Sequence, residues 1–146
     1  MALLSEKSLL AIAAVVDVAI HSRGQPVAAK ALAQRHGLPP RHLEPVLQAL
    51  VHAGILKGVR GPRGGYELAR ERRRISVAEI AQVAENSENA GAAQKPALVQ
   101  NVIAPALAKA ESAFETALNE VTIDALCRNA EREGISDGKN TADFNI

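Results

Sequence analysis

The stretch Val59–Arg60–Gly61–Pro62–Arg63–Gly64–Gly65–Tyr66 decides how this chain is read. Two short apolar runs flank it, Ile55–Val59 and Tyr66–Ala69. Glycine and proline between such runs supply the positive and fixed φ angles that a tight strand–turn–strand reversal demands. Arg60 and Arg63 fall at the tip of that reversal. Arginines so placed suit a phosphate backbone or a narrow minor groove. The stretch reads as the wing of a winged helix and points to DNA.

Immediately upstream lies a helix-turn-helix pattern. Pro39–Pro40 opens a helix, because the N–H that proline lacks has no intrahelical partner in the first turn. That helix runs to about Ala53, turns Leu43, Val46, Leu47 and Leu50 inward, and ends at Gly54. A shorter helix at about Ala28–His36 precedes it and stops at Gly37. Ala33, Gly37 and Val46 supply the small contact residue, turn glycine and apolar anchor of the motif. Before these, Ser5 caps a first helix whose apolar face is expected at Leu9, Ile12, Ala13, Val16, Ala19 and Ile20. Arg23–Gly24–Gln25–Pro26 breaks it.

Downstream of the wing, Arg70–Arg74 leads into Ser76–Val77–Ala78–Glu79, a capping box that starts a helix through about Glu85. Asn86–Lys95 is polar and small and reads as a loop. A long helix follows, with Val99, Val102, Ile103, Ala106, Ala110, Ala113, Phe114, Ala117 and Val121 recurring every three or four residues. Pro105 should kink or restart it. Its apolar stripe is longer than so small a domain can bury, which makes it a candidate dimer element. A last helix at Ile123–Glu133 precedes a polar tail, expected to be disordered. The expected fold is mainly α: a winged helix-turn-helix domain over residues 1–85 with a small β-hairpin wing, and a loop at 86–97. A dimerisation helix and short C-terminal helix occupy 98–133, and the tail 134–146.

Composition agrees with a helical regulator. At 146 residues the chain is about one domain long and holds no Trp and one Cys, so Ala, Leu, Val and Ile must build the core. Cys127 alone excludes an internal disulfide and a zinc finger. Leu9–Ile20 is broken by Asp17 and too short to span a bilayer, and it lacks a basic leader, so a cytoplasmic protein without membrane contact is expected. The net charge of +1 hides a partition: residues 23–74 hold eleven Lys/Arg against three Asp/Glu, while residues 75–146 hold five against eleven. A basic segment that coincides with the helix-turn-helix and wing is the footprint of nucleic-acid binding.

With these motifs on the page, the chain resembles the IscR-like (Rrf-two) winged-helix regulators of bacteria over roughly residues 3–133. The resemblance rests on Asp17–Ala19, Leu43–Glu44, the whole run Val59–Ala69, Ile75–Ile80 and Val121–Leu126. It implies a homodimer with crossed long helices reading a palindromic operator, most simply as a repressor. It places Arg41, His42 and Glu44 on the exposed start of the recognition helix, and Arg60 in the minor groove. Arg63 and Lys30 complete the expected DNA-facing set. Arg41 suits guanine or phosphate, and Glu44 can accept a hydrogen bond from cytosine N4. The plainer readings are that Glu44 balances local arginine charge and that His42 only packs at the surface. Cluster-binding members carry three cysteines about where Asn86–Asn101 lies, and this stretch has no Cys and no His. Iron–sulfur ligation needs several such ligands, so no cluster and no other cofactor is expected. Cys127 reads as a small buried hydrophobe, with a redox role across a dimer as its sharper alternative. The signal sensed, an unidentified effector or a protein partner, is left open.

No catalytic constellation stands out. His21, His36, His42 and His52 lie in the DNA-binding region without a matching Cys or carboxylate pattern. Gly61–Gly65 lacks the following helix and Lys-Ser/Thr of a phosphate-binding loop. The competing reading is a winged helix that serves as a protein-binding adaptor without DNA.

Overall fold

The computed structural model of the chain describes residues 4–89 and 97–135. Helix α1 (Glu6–His21) starts where Ser5 accepts a hydrogen bond from the Ser8 N–H at 3.1 Å. Its buried apolar side is Ala11, Ala14, Val15, Val18 and Ala19, and this corrects the expected face at every position but Ala19. Leu9 is 51% exposed, and Ile12, Val16 and Ile20 are only partly covered. The reason is compositional. With apolar residues on nearly every side, periodicity could not choose a face, and the alanines won because they let α4 approach closely.

Helix α2 (Ala29–His36) is closed by Gly37 at φ 63°, a left-handed conformation that favours glycine. Helix α3 (Pro40–His52) buries Leu43, Val46, Leu47 and Leu50 as its pattern required. Ala33 and Val46 sit where the helices meet, 1% and 3% exposed.

The wing is the antiparallel pair β1 (Leu56–Val59) and β2 (Gly65–Leu68), with Leu56 opposite Leu68 and Val59 opposite Gly65. It is fastened to the α1–α2 connection. The Tyr66 N–H donates to the Val27 carbonyl at 2.8 Å, and the Val27 N–H donates back to the Tyr66 carbonyl at 2.9 Å. Glycine is needed there for close approach. A Cβ on Gly65 would stand 2.2 Å from the Val27 oxygen, and one on Gly64 would stand 2.2 Å from the Val59 oxygen.

After a 3₁₀ turn at Arg72–Arg74, the capping box forms reciprocally. The Glu79 N–H donates to Ser76 Oγ at 3.3 Å, and the Ser76 N–H donates to the Glu79 carboxylate at 3.1 Å. Helix α4 (Val77–Asn89) continues past Glu85, so the start of the expected loop at 86–97 is helical. The capping box and the core positions Ile80 and Ala84 carry the helix, and its polar last turn simply extends it. The rest of that loop, at 90–96, lies outside the described residues, as does the tail beyond 135.

The chain enters α5 (Ala104–Asn119) through a π turn at Val99–Ile103, with Pro105 in the first turn of the helix proper. Proline has no N–H to continue an α-helical ladder, so the helix restarts there. Helix α6 (Ile123–Arg132) begins at Thr122, whose hydroxyl accepts from the Ala125 N–H at 3.1 Å. It does not extend a separate dimerisation unit. Ile123 and Cys127 are wholly buried in the same core as α1 and α3. A bridge fixes this return: the Val77 N–H donates to Val121 at 2.9 Å and the Ile123 N–H to Ile75 at 3.0 Å.

Candidate nucleic-acid interface

Helix α3 presents one side to solvent because the other is committed to the core. At roughly 100° per residue, Arg41, Pro45, Gln48 and His52 fall within an arc of about 60° opposite Leu43, Val46, Leu47 and Leu50. Those four, with Glu44 and His42 on the flanks, are all exposed. Arg41, His42 and Glu44 thus stand on the exposed helix start, as expected. Pro45 and Gln48 had been passed over. Charge drew attention elsewhere, although a helical wheel drawn from the sequence places both on the ridge.

Lys30 is exposed in the first turn of α2, and Arg60 and Arg63 are exposed at the wing turn. The wing tip and α2 bound an open cleft of about 450 Å³, lined by Gln25, Ala31, Arg35, Pro62 and Arg63 among others. The wing turn and α2 therefore border one cleft, which carries Arg35 and Arg63.

The electrostatics sort the basic segment. Arg23, Arg35, Lys57, Arg70, Arg72, Arg73 and Arg74 each have a carboxylate within 4.0 Å, from Glu131, Asp17, Glu67, Glu79, Asp124 or Glu71. Among the described residues, Lys30, Arg41, Arg60 and Arg63 have none. Within residues 23–74, then, the cations without a carboxylate partner are one on α2, one on α3 and two at the wing turn. Glu44 likewise forms no ion pair among the described residues, so its placement does not favour the charge-balance reading.

One cluster escaped the sequence reading. Asp17, 6% exposed inside α1, accepts two hydrogen bonds from the Arg35 guanidinium, at 2.9 and 2.6 Å. His36 Nε2 lies 3.1 Å from the same carboxylate, and His21 Nδ1 lies 3.3 Å from it. The hydrogen bonds from Arg35 raise its already high pKa, against the effect of burial. This cluster ties α1 to α2 and so sets the angle at which the helix-turn-helix leaves the core. An Asp in an apolar helical run was the available signal, since a buried carboxylate must be paired.

Cys127 is wholly buried. Burial pushes its thiol pKa up, partly opposed by the nearby Arg72 guanidinium. A protonated, covered thiol is a poor nucleophile and a poor metal ligand. Its place gives no support to a redox role. Beside it, Asp124 is paired with Arg72 at 2.8 Å and with Arg128.

Comparison with known proteins places this architecture. Residues 4–129 match the Rrf2 family, described as an iron-dependent transcriptional regulator. The HTH-type transcriptional regulator IscR of Citrobacter koseri is 31% identical over 144 residues, covering 96% of this chain and 88% of that protein. IscR of Xenorhabdus nematophila is 38% identical over 87 residues, a match that covers 60% of this chain and about half of the relative's length, 53%. Among solved structures, T. potens IscR superposes with a TM-score of 0.71 at 32% identity, covering 92% of this chain and 93% of that one. CymR of B. subtilis shares the fold at a TM-score of 0.67 and 23% identity, over 86% of this chain and 96% of its own.

The iron dependence in the family's description is not matched by the donors available here. The chain's one thiol is the buried Cys127, and His21 and His36 are engaged with Asp17. His42 and His52 lie on α3, and the described residues hold no group of three His, Cys, Asp or Glu able to hold a metal ion. These residues do not fit a thiolate-held iron–sulfur cluster. No described helix is long and apolar enough to cross a membrane. The wing, the helix-turn-helix and a match running from residue 4 to residue 129 agree, and the chain belongs to the Rrf2 family of transcriptional regulators.

Proposed function

We propose that this chain is a cytoplasmic, non-catalytic regulator that binds a palindromic DNA operator as a homodimer, represses from it, and works without an iron–sulfur cluster. The observation that carries this reading is that, within the basic segment 23–74, the four cations without a carboxylate partner among the described residues stand on α2, α3 and the wing. The dimer is supported by α5, which buries no residue, while Leu98, Val102 and Leu107 are more than half exposed. A second copy would cover that stripe. Cluster-free action is supported by the donor set, with its single buried thiol.

Selection of duplexes from a random library, followed by a salt titration on the enriched sequence, tests the reading. Four free cations per protomer make eight in a dimer, for a log–log salt slope of roughly −7. Affinity should then fall about 10⁴-fold between about 50 and 200 mM salt. A flat response, or no enriched sequence, would favour the protein adaptor. Reconstitution with ferrous iron and sulfide without oxygen should leave the protein colourless and its operator affinity unchanged. A visible cluster band would sink the cluster-free part alone.

A further inference from the structure

Pro45 stands in the middle of the ridge that α3 turns to solvent, one turn beyond Arg41 and one turn before Gln48. A proline there is unfavourable for the helix. It has no N–H to donate to the carbonyl of Arg41, and its ring crowds that carbonyl. Its exposed ring is also outside the hydrophobic core and the partly buried side chains around it. What the ring does provide is a rigid apolar surface with no hydrogen-bonding group, between Arg41 and Gln48, which both have one. A major groove offers one apolar feature that distinguishes a base pair, the 5-methyl group of thymine.

We infer that Pro45 is a specificity-determining residue whose ring packs on the 5-methyl group of a thymine in each half-site. The inference rests on the DNA-binding reading above and extends it. Pro45 and Gln48, three residues apart, are offset by about 4.5 Å along the helix axis, between one and two base-pair steps of about 3.4 Å. Gln48 therefore faces a base pair near that thymine. Its amide suits adenine N6 and N7. The ridge is then selective for an A·T-containing step, with Arg41 and Glu44 reading toward the start of the helix.

Thymine replaced by deoxyuridine loses the methyl group and nothing else, which makes the test direct. The operator is first defined by selection with the full chain. If nothing is enriched, DNA binding itself fails and the inference fails with it. On an enriched operator, each thymine of a half-site is replaced in turn. One replacement should weaken binding about fourfold, the factor expected for one carbon group losing its burial. The Pro45→Ser chain, which regains the helix N–H and should melt no lower than the parent, should bind the thymine and uracil duplexes alike at that position. Indifference of the parent chain to uracil at every thymine overturns the inference while leaving operator binding intact. Discrimination that persists undiminished in Pro45→Ser overturns it too, because another residue would then be reading the methyl group.

Discussion

Replacing Gly65 with alanine is expected to undock the wing without touching a charge. The added Cβ would meet the Val27 oxygen at 2.2 Å, the Val27 carbonyl carbon at 2.4 Å and the Ala28 nitrogen at 2.7 Å. All three are backbone atoms, so no side-chain rotation relieves the contact. The available escape is to open the bridge between Val27 and Tyr66, losing its two hydrogen bonds. Each is worth about 0.5–1.5 kcal/mol net, and partial exposure of Val27 adds about 1 kcal/mol. A loss of about 2–4 kcal/mol lowers the melting temperature by about 10 °C in a domain of this size. The Arg60 and Arg63 charges remain, but their position relative to α2 is no longer fixed, so operator affinity and the salt slope both fall. Gly58→Ala is the control. Nothing lies within 4 Å of a Cβ at that position, and alanine is preferred to glycine in a strand by about 0.5–1 kcal/mol. Thermal melting and a salt titration on both variants give the answer. If Gly65→Ala melted within about 1 °C of the parent, bridge opening could not be how the clash is absorbed.

Other expectations follow from the same geometry. Arg60→Ala should weaken binding to all sequences alike, whereas Glu44→Ala should relax choice at one base pair per half-site by about 1–3 kcal/mol, measured on single-base operator variants. If Glu44→Ala left sequence preference unchanged, the assignment of base reading to that carboxylate would be wrong. Val102→Asp combined with Leu107→Asp should release monomer, because both side chains, one in the π turn and one on α5, are exposed in the isolated chain. Sedimentation that still finds dimer at low protein concentration would exclude this stripe as the interface. Hydrogen bonding from Arg128, with the charges of Arg128 and Arg72, holds Asp124 below its ordinary value of 3.8 despite desolvation. The stabilisation it gives α6 is therefore complete above that value and lost as pH falls through the lower folded one. Acid unfolding of Asp124→Asn should lack this contribution, and an unchanged acid profile would show that the pairing is not coupled to folding.

Amphipathic elements were legible in the sequence, and non-local ones were not. Helix α3 has a single apolar side, so its buried residues followed from spacing, and the Ser76–Glu79 box announced the start of α4. The capping signal said nothing of where α4 stops, and it runs on to Asn89. In α1 the apolar residues surround the axis, and the face was misassigned. The sequence shows Asp17 as an interruption of an apolar run and as part of the family pattern, but not its pairing, because Arg35 and His36 are far along the chain. Charge and family position pointed to Lys30, Arg41, Arg60 and Arg63, which are exposed and have no carboxylate partner among the described residues. The same preference for charge passed over Pro45, which carries no polar group. In the sequence α6 reads as a short helix following the long one, with no signal of what it packs against. The burial of Ile123 and Cys127 in the common core and the pairing of Ser76 with Thr122 place it against α1.

That pairing has a bearing on how the protein is made. The strand-like residues at 75–77 find their partners at 121–123, and the side chains that close the core, Ile123 and Cys127, arrive last on the ribosome. Until then, α1 and the turn at Arg72–Arg74 lack part of their cover, however completely the helix-turn-helix has been synthesised. The DNA-reading half is thus not a module that can be cut away at the end of α4. A nascent or truncated chain ending there would keep every DNA-facing residue and still leave the core that aligns them unfinished.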